Sequence, residues 1–208
     1  MRTYVYVDAF NLYYGSLKGT SYRWLDLEKL CRHLLRPDNH VQRIKYFTAR
    51  VGARPDPEQP ARQQAYLRAL RTLPCCEVHF GHFISHEVSM PCVVPDGARQ
   101  TYAKVIRTDE KGSDVNLATH LLVDAYASKF DLAVIITGDS DQLAPVMHVT
   151  QHLRRPVGVI NPQSRECVVL RKAATFYKHI RENALKASQF SDQLTDANGQ
   201  FHRPPRWV

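Results

Sequence analysis

The run Leu132-Ala-Val-Ile-Ile-Thr137 is uninterrupted apolar chain of strand length, and it closes abruptly on Gly138-Asp139-Ser140-Asp141. A strand this uniformly apolar must be buried on both faces, as happens when helices cover both sides of a parallel sheet. Thr3 to Val7 is a second such run, stopping at Asp8, and Val157 to Ile160 is a third, closed by Asn161-Pro162. Val41 to Val51, Glu77 to Ile84 and residues 100 to 107 read as further strands. Between them lie helical patterns. Leu25 to Leu35 is apolar at 27, 30, 31, 34 and 35, and Ala61 to Leu73 is stopped by Pro74. Asn11 to Lys18 forms a helical turn, Asp114 to Lys129 and Asp141 to Leu153 are helices, and helical segments fill roughly 165 to 188. Gly52 to Pro60, with its prolines, is a loop. Strands alternating with helices specify an α/β chain, a three-layer sandwich with a mostly parallel central sheet.

The 208 residues suit one domain, taken as 1–190, and 191–208 is polar enough to be either a loose tail or a strap docked through Phe201 and Trp207. A domain of this size buries a core without disulfides or metal staples. The five cysteines lack a repeated spacing, the first strand does not read as a secretory signal, and no apolar run spans a bilayer. The expectation is a reduced, cytoplasmic setting without membrane attachment. Lys plus Arg exceed Asp plus Glu, 28 to 20, for a net charge of +8. Such a surface attracts polyanions, nucleic acid among them.

The acidic residues are placed against this background. In open parallel sheets ligands bind beyond the carboxyl ends of the strands, where the strand order reverses. Asp8 and Asp139 are delivered to that edge, and Asp114 opens a helix after Lys111-Gly112-Ser113. Each could simply cap a helix. Together, clustered carboxylates repel one another and persist when a cation, protons or water compensate, and an all-oxygen set suits Mg2+ or Mn2+.

Asp8-Ala-Phe-Asn11-Leu-Tyr, Lys111-Gly-Ser-Asp114-Val-Asn-Leu-Ala and Thr137-Gly-Asp139-Ser-Asp141 resemble, in order and spacing, the motifs of the NYN domain family, LabA-like members of the PIN-like nuclease superfamily. The resemblance covers about residues 1 to 160. It implies a PIN-like fold and a metal-dependent ribonuclease, with Asp8, Asp114 and Asp139 as metal ligands and Asp141 as a fourth catalytic acid. Asn11 matches the family's asparagine near the first aspartate. Thr137 matches a small hydroxyl residue that orients a metal-bound water. No motif position is replaced by a non-ligating residue. Hydrolysis of RNA leaving a 5′-phosphate and a 3′-hydroxyl is the implied reaction, with Lys111 as either a phosphate contact or a solvated surface lysine. Tyr13, Tyr14 and Trp24 offer rings for stacking bases, against the alternative of packing in the core.

Two rival functions remain at this level: a non-catalytic RNA-binding or regulatory module, and a phosphohydrolase of small molecules. The second expects Asp-x-Asp after the first strand, and Phe10 stands at its second acid. Cys75, Cys76, His79, His82, His86 and Cys92 could supply zinc ligands, but without a Cys-x-x-Cys pair they read as packed cysteines and surface histidines. Asp124 and Asp131 are expected outside the metal site. Ten residues of helix carry Asp124 about 15 Å from Asp114, and the central strand separates Asp131 from Asp139 by about 20 Å. The natural RNA, endo- or exonuclease action, one metal or two, and homo-oligomerisation stay open.

Overall fold

The computed structural model describes residues 1–54, 56–93 and 102–207. Six parallel strands form the central sheet: β1 (Arg2–Asp8), β2 (His40–Thr48), β3 (Cys76–Phe80), β6 (Leu132–Ile136), β7 (Val157–Asn161) and β8 (Phe176–His179). Their order is β3-β2-β1-β6-β7-β8. The chain steps outward from β1 in one direction, then restarts at β6 on the other side of β1 and steps the opposite way. The strand order therefore reverses between β1 and β6.

Period-two alternation divides the strands between two cores. Val5 and Val7 of β1, with Val134 and Ile136 of β6, face a core built with Leu27 and Leu30 of α2 (Leu27–Leu34) and Tyr66, Leu67 and Leu70 of α3 (Gln59–Leu70). Tyr6, Phe47 and Ile135 point the other way, toward Leu117 and Leu121 of α4 (Ser113–Tyr126), Val146 of α5 (Leu143–Met147) and Leu170 of α6 (Val168–Ala173). The three-layer α/β sandwich expected from the sequence is the observed architecture.

Several boundaries differ from expectation. The strand expected over Glu77 to Ile84 is two, β3 and β4 (His82–Pro91), separated at Gly81. β4 leaves the sheet and pairs antiparallel with β5 (Tyr102–Lys111), forming an arm outside the central sheet. The strand expected over 100 to 107 is β5, extended to Lys111; residues 100 and 101 lie outside the described residues. The helix expected over Asp141 to Leu153 begins with a 3-10 turn, continues as α5 and widens into a π-turn at His148–His152. Pro145 is accommodated there because it lies in the first turn of α5, where its missing N–H costs no helical bond. The helical reading of 165 to 188 is corrected: α6 and α7 (Glu182–Ala187) flank β8, an edge strand. With Lys178 and His179 exposed and Phe176 and Tyr177 only partly buried, β8 carries no apolar run to announce it.

Residues 193 to 202 form a hairpin, β9 (Gln193–Asp196) and β10 (Gly199–His202). Phe190, Phe201 and Trp207 surround Trp24 with ring centroids 5.8 to 6.4 Å away. Trp24 is fully buried, which assigns it to the core and not to base stacking. Among the described residues no helix is long and apolar enough to cross a membrane.

Candidate active site

Asp8 ends β1 and caps the short helix α1 (Ala9–Leu12), its side chain accepting a 2.9 Å hydrogen bond from the Asn11 amide N–H. Its other oxygen accepts from the Thr137 hydroxyl, also at 2.9 Å. The same Thr137 oxygen accepts from the Asp139 backbone N–H at 3.1 Å. One buried hydroxyl thus ties the end of β1 to the turn after β6 across the switch point. Asp139 in turn caps the following 3-10 turn, accepting from the Asp141 N–H.

Asn11 fastens the same two segments by a second route. Its side-chain oxygen accepts from the Gly138 N–H at 2.8 Å and from the Gln163 amide at 3.1 Å. Asn161, fully buried at the end of β7, accepts from the Gln163 N–H and donates to the Tyr177 hydroxyl. A Cβ on Gly138 would run into the Asn161 side chain, so only glycine allows this approach.

Asp114 arrives from the far side, in the first turn of α4. Gly112, at φ +96°, is the left-handed residue that turns β5 into α4. Glu110, two residues earlier, accepts from both the N–H and the hydroxyl of Ser113 and so anchors the helix start.

These segments enclose a cleft of about 350 Å³ lined by Asp8, Asn11, Asp114, Asp139 and Glu110 among others. Among the described residues the lining holds four carboxylates and no Lys, Arg or His. Burial pushes the Asp8 carboxyl up to about 6; Asp114 and Asp139 add to the rise, and the bonds from Asn11 and Thr137 oppose it. Asp114 is raised by burial, then by Asp139, Glu110 and Asp141. Among the described residues no three His, Cys, Asp or Glu are drawn into a ready-made metal cage. The donor set nonetheless fits a hard cation: carboxylate oxygens gathered around a cleft with no basic side chain on its walls among the described residues.

Of the residues expected at the site, Asp8, Asn11, Asp114 and Asp139 line the cleft. Thr137 is fully buried behind it, with its hydroxyl engaged by Asp8 and Asp139, so its position is one of support and not of substrate contact. Asp141 is exposed and Lys111 ends β5 on the surface; neither is on the cleft wall. Asp124 lies elsewhere, buried against Lys45, Lys129 and the Tyr6 hydroxyl, and Asp131 pairs with Arg2. The Cys/His stretch disperses: Cys75 and Cys76 pack on the core, His79 stacks on Phe47, and His82 and His86 are exposed on the arm. Sequence reasoning missed Glu110, Thr108, Phe10 and Phe83. Glu110 stands four residues before Asp114 and could have been weighed with it. Phe83 and Thr108 carry no local signal, because only the arm's placement brings them to the cleft.

Fold and site define an α/β protein with an acidic cleft at the switch point of a parallel sheet. The NYN domain model matches residues 2–183, and the chain belongs to this family, which has a nuclease-type fold. The 6-hydroxy-3-succinoylpyridine 3-monooxygenase HspA of Pseudomonas putida (strain DSM 28022 / S16) is 31% identical over 79% of this chain and 60% of that protein. The chain thus spans about 60% of the length of this curated relative. The crystal structure of VPA0982 from Vibrio parahaemolyticus RIMD 2210633, a protein of unknown function, has the same fold, with a TM-score of 0.57 at 17% identity over 91% of this chain and 96% of that one.

Proposed function

We propose that the chain is a metal-dependent ribonuclease that hydrolyses RNA phosphodiester bonds at the acidic cleft. One observation carries the reading: Asp8, Glu110, Asp114 and Asp139 line a single cleft on whose walls, among the described residues, there is no cationic side chain. Asp8, Asp114 and Asp139 would hold Mg2+ or Mn2+, and the cation when bound supplies Lewis acidity and lowers the pKa of water beside the phosphate. The chain's own part is to fix the donors. Thr137 orients the Asp8 and Asp139 segments, Glu110 seats the start of α4, and Asn11 joins the two strand ends. The excess of Lys and Arg would hold the remaining phosphates in a salt-dependent manner.

The test is cleavage of mixed single-stranded and structured RNAs by the full chain with Mn2+, with EDTA, and as Asp139→Asn. Cleavage with Mn2+ that EDTA and the substitution both abolish is expected. Because Asn caps about as well as Asp, the variant keeps its turn. Loss of one carboxylate also relieves repulsion, so its metal-free melting temperature should equal or exceed that of the unsubstituted chain. Undiminished cleavage by Asp139→Asn sinks the assignment.

A second reading follows from the name of the P. putida relative: monooxygenation of a hydroxylated pyridine. The aromatic side chains Phe10, Tyr14 and Phe83 beside the carboxylates favour it, since they suit a flat ring. Oxygenation at carbon 3, which bears the succinoyl group, forms the ring C–O bond as the ring–acyl bond breaks and the acyl fragment departs, and the other atom of O2 is reduced to water, so the reaction needs electrons from an outside donor. Oxygen consumption dependent on 6-hydroxy-3-succinoylpyridine and a reduced nicotinamide or flavin would support it over RNA hydrolysis.

A further inference from the structure

The helical segment after β1 presents Phe10, Tyr14 and Lys18 at successive intervals of four, on one side of the turn. Phe10 meets Phe83 of the arm edge-to-face at 5.7 Å, and both rings line the cleft. Tyr14 lines the cleft as well, yet is 58% exposed. The Lys18 ammonium lies over one face of its ring, 4.8 Å from the centre, and Tyr13 braces it edge-to-face at 5.3 Å. Tyr13 itself packs partly into the core and Trp24 is wholly inside it, so neither offers a free ring.

Asn11 adds a donor of fixed direction. Gly138 N–H can only donate, so the Asn11 side-chain oxygen is the atom turned toward it, and Gln163 holds the same oxygen. The planar amide then turns its NH2 group away from both partners. Among the described residues that group has no hydrogen-bond acceptor, and Asn11 lines the cleft.

We infer that Tyr14, Asn11 and Lys18 form a subsite for a flat heteroaromatic ring. The ring stacks on the face of Tyr14 that Lys18 leaves uncovered, Lys18 backs Tyr14 from the other face, and an acceptor atom on the ligand meets the Asn11 NH2. The inference rests on the ribonuclease reading in one respect: the ring is then a base next to the scissile phosphate. A base in a duplex is already stacked, so the subsite selects single-stranded RNA. The same chemistry is offered by a free hydroxylated pyridine.

The experiment measures binding to the full chain without metal, for the unsubstituted protein, Tyr14→Ala and Tyr14→Phe. The probes are a short oligouridine, an abasic ribose-phosphate oligomer of equal length, and free 6-hydroxypyridine. Melting curves of both variants verify the fold. Tyr14→Ala should weaken oligouridine binding roughly tenfold, the loss of one base–aromatic stack. It should leave the abasic oligomer unchanged, and Tyr14→Phe should bind both like the unsubstituted chain. Equal losses on intact and abasic oligomers, or no loss on any probe, overturn the subsite. Tyr14-dependent binding of hydroxypyridine without binding of oligouridine keeps the subsite and removes the ribonuclease reading. Mn2+-dependent RNA cleavage with oligouridine binding indifferent to Tyr14→Ala does the reverse.

Discussion

At Thr137 one hydroxyl donates to Asp8 and accepts from the Asp139 N–H, so its removal is felt at two acids at once. Thr137→Val keeps the β-branched shape and deletes only that oxygen. The buried Asp8 carboxyl loses a donor, costing about 1–3 kcal/mol, and the part-buried Asp139 N–H loses its acceptor at a smaller cost. The Asp8 carboxyl, stripped of a bond that stabilises its charged form, should titrate higher still. We expect Thr137→Val to lower the melting temperature and weaken Mn2+ binding, read by calorimetry. Unchanged cation affinity would show that Thr137 does not govern the acids. Asp8 also sets a pH dependence. The folded metal-free chain holds its proton up to about 6, whereas an unfolded chain releases it near 3.8, so the folded state binds more protons between those values. Stability therefore falls as pH rises through that window. Added Mn2+ should oppose the fall, with a thermal shift that grows as pH rises across the same range. Melting curves with and without EDTA measure both, and a thermal shift that shrinks with rising pH would contradict the arrangement.

Among the elements, β2 and α4 are joined by a buried ion pair that has nothing to do with the cleft. Lys45 reaches Asp124, which also accepts from the Tyr6 hydroxyl at 2.9 Å and pairs with Lys129 at 3.3 Å. Burial pushes the Asp124 carboxyl up, but the bonds from Lys45 and Tyr6 outweigh it and hold it below the usual range. Asp124→Ala leaves the Lys45 ammonium buried without its counter-charge, a loss of about 3–5 kcal/mol. Denaturant unfolding should show that loss, while Mn2+ affinity per folded molecule stays near that of the unsubstituted chain. A stability change under 1 kcal/mol, roughly a surface pair's worth, would refute the buried role. The elements also show what the sequence could convey. β1, β6 and β7 were legible because strands buried on both faces must be continuously apolar, and Asp8 and Asp139 were legible because those runs stop at them. β8 was not, since an edge strand is half in water. Phe83 and Thr108 were hidden by distance, unlike Glu110 with its place four residues before Asp114: the arm pairs with itself, and nothing in its local pattern says which surface it lies against.

For the whole molecule, the C-terminal hairpin is part of the core's closure. Phe190, Phe201 and Trp207 are buried about Trp24, the Trp24 indole donates to the Ser191 carbonyl, and Arg68 is paired with Asp196. Ending the chain after residue 183, where the family match stops, would remove all of these. Burial of three aromatic side chains is worth roughly 5 kcal/mol or more, comparable to the whole net stability of a domain. The shortened chain should melt far lower or fail to fold, with Trp24 fluorescence shifted to the red. A cooperative transition at the full-length temperature would show the hairpin to be dispensable.

The switch-point position of β1 also fixes when the cleft can exist. Thr3 pairs with Leu132, and Asn11 is not held until Gly138 and Gln163 are in place. During synthesis Asp8 leaves the ribosome before Gly138 and Gln163 and waits, without its partners, while the segments between them are made. A nascent or prematurely terminated product that stops short of Gln163 carries the first aspartate and no completed cleft. Joining chain segments so distant also slows refolding, toward milliseconds or seconds in place of microseconds. The topology thereby delays the assembled acid cluster until the segment through Gln163 has been made.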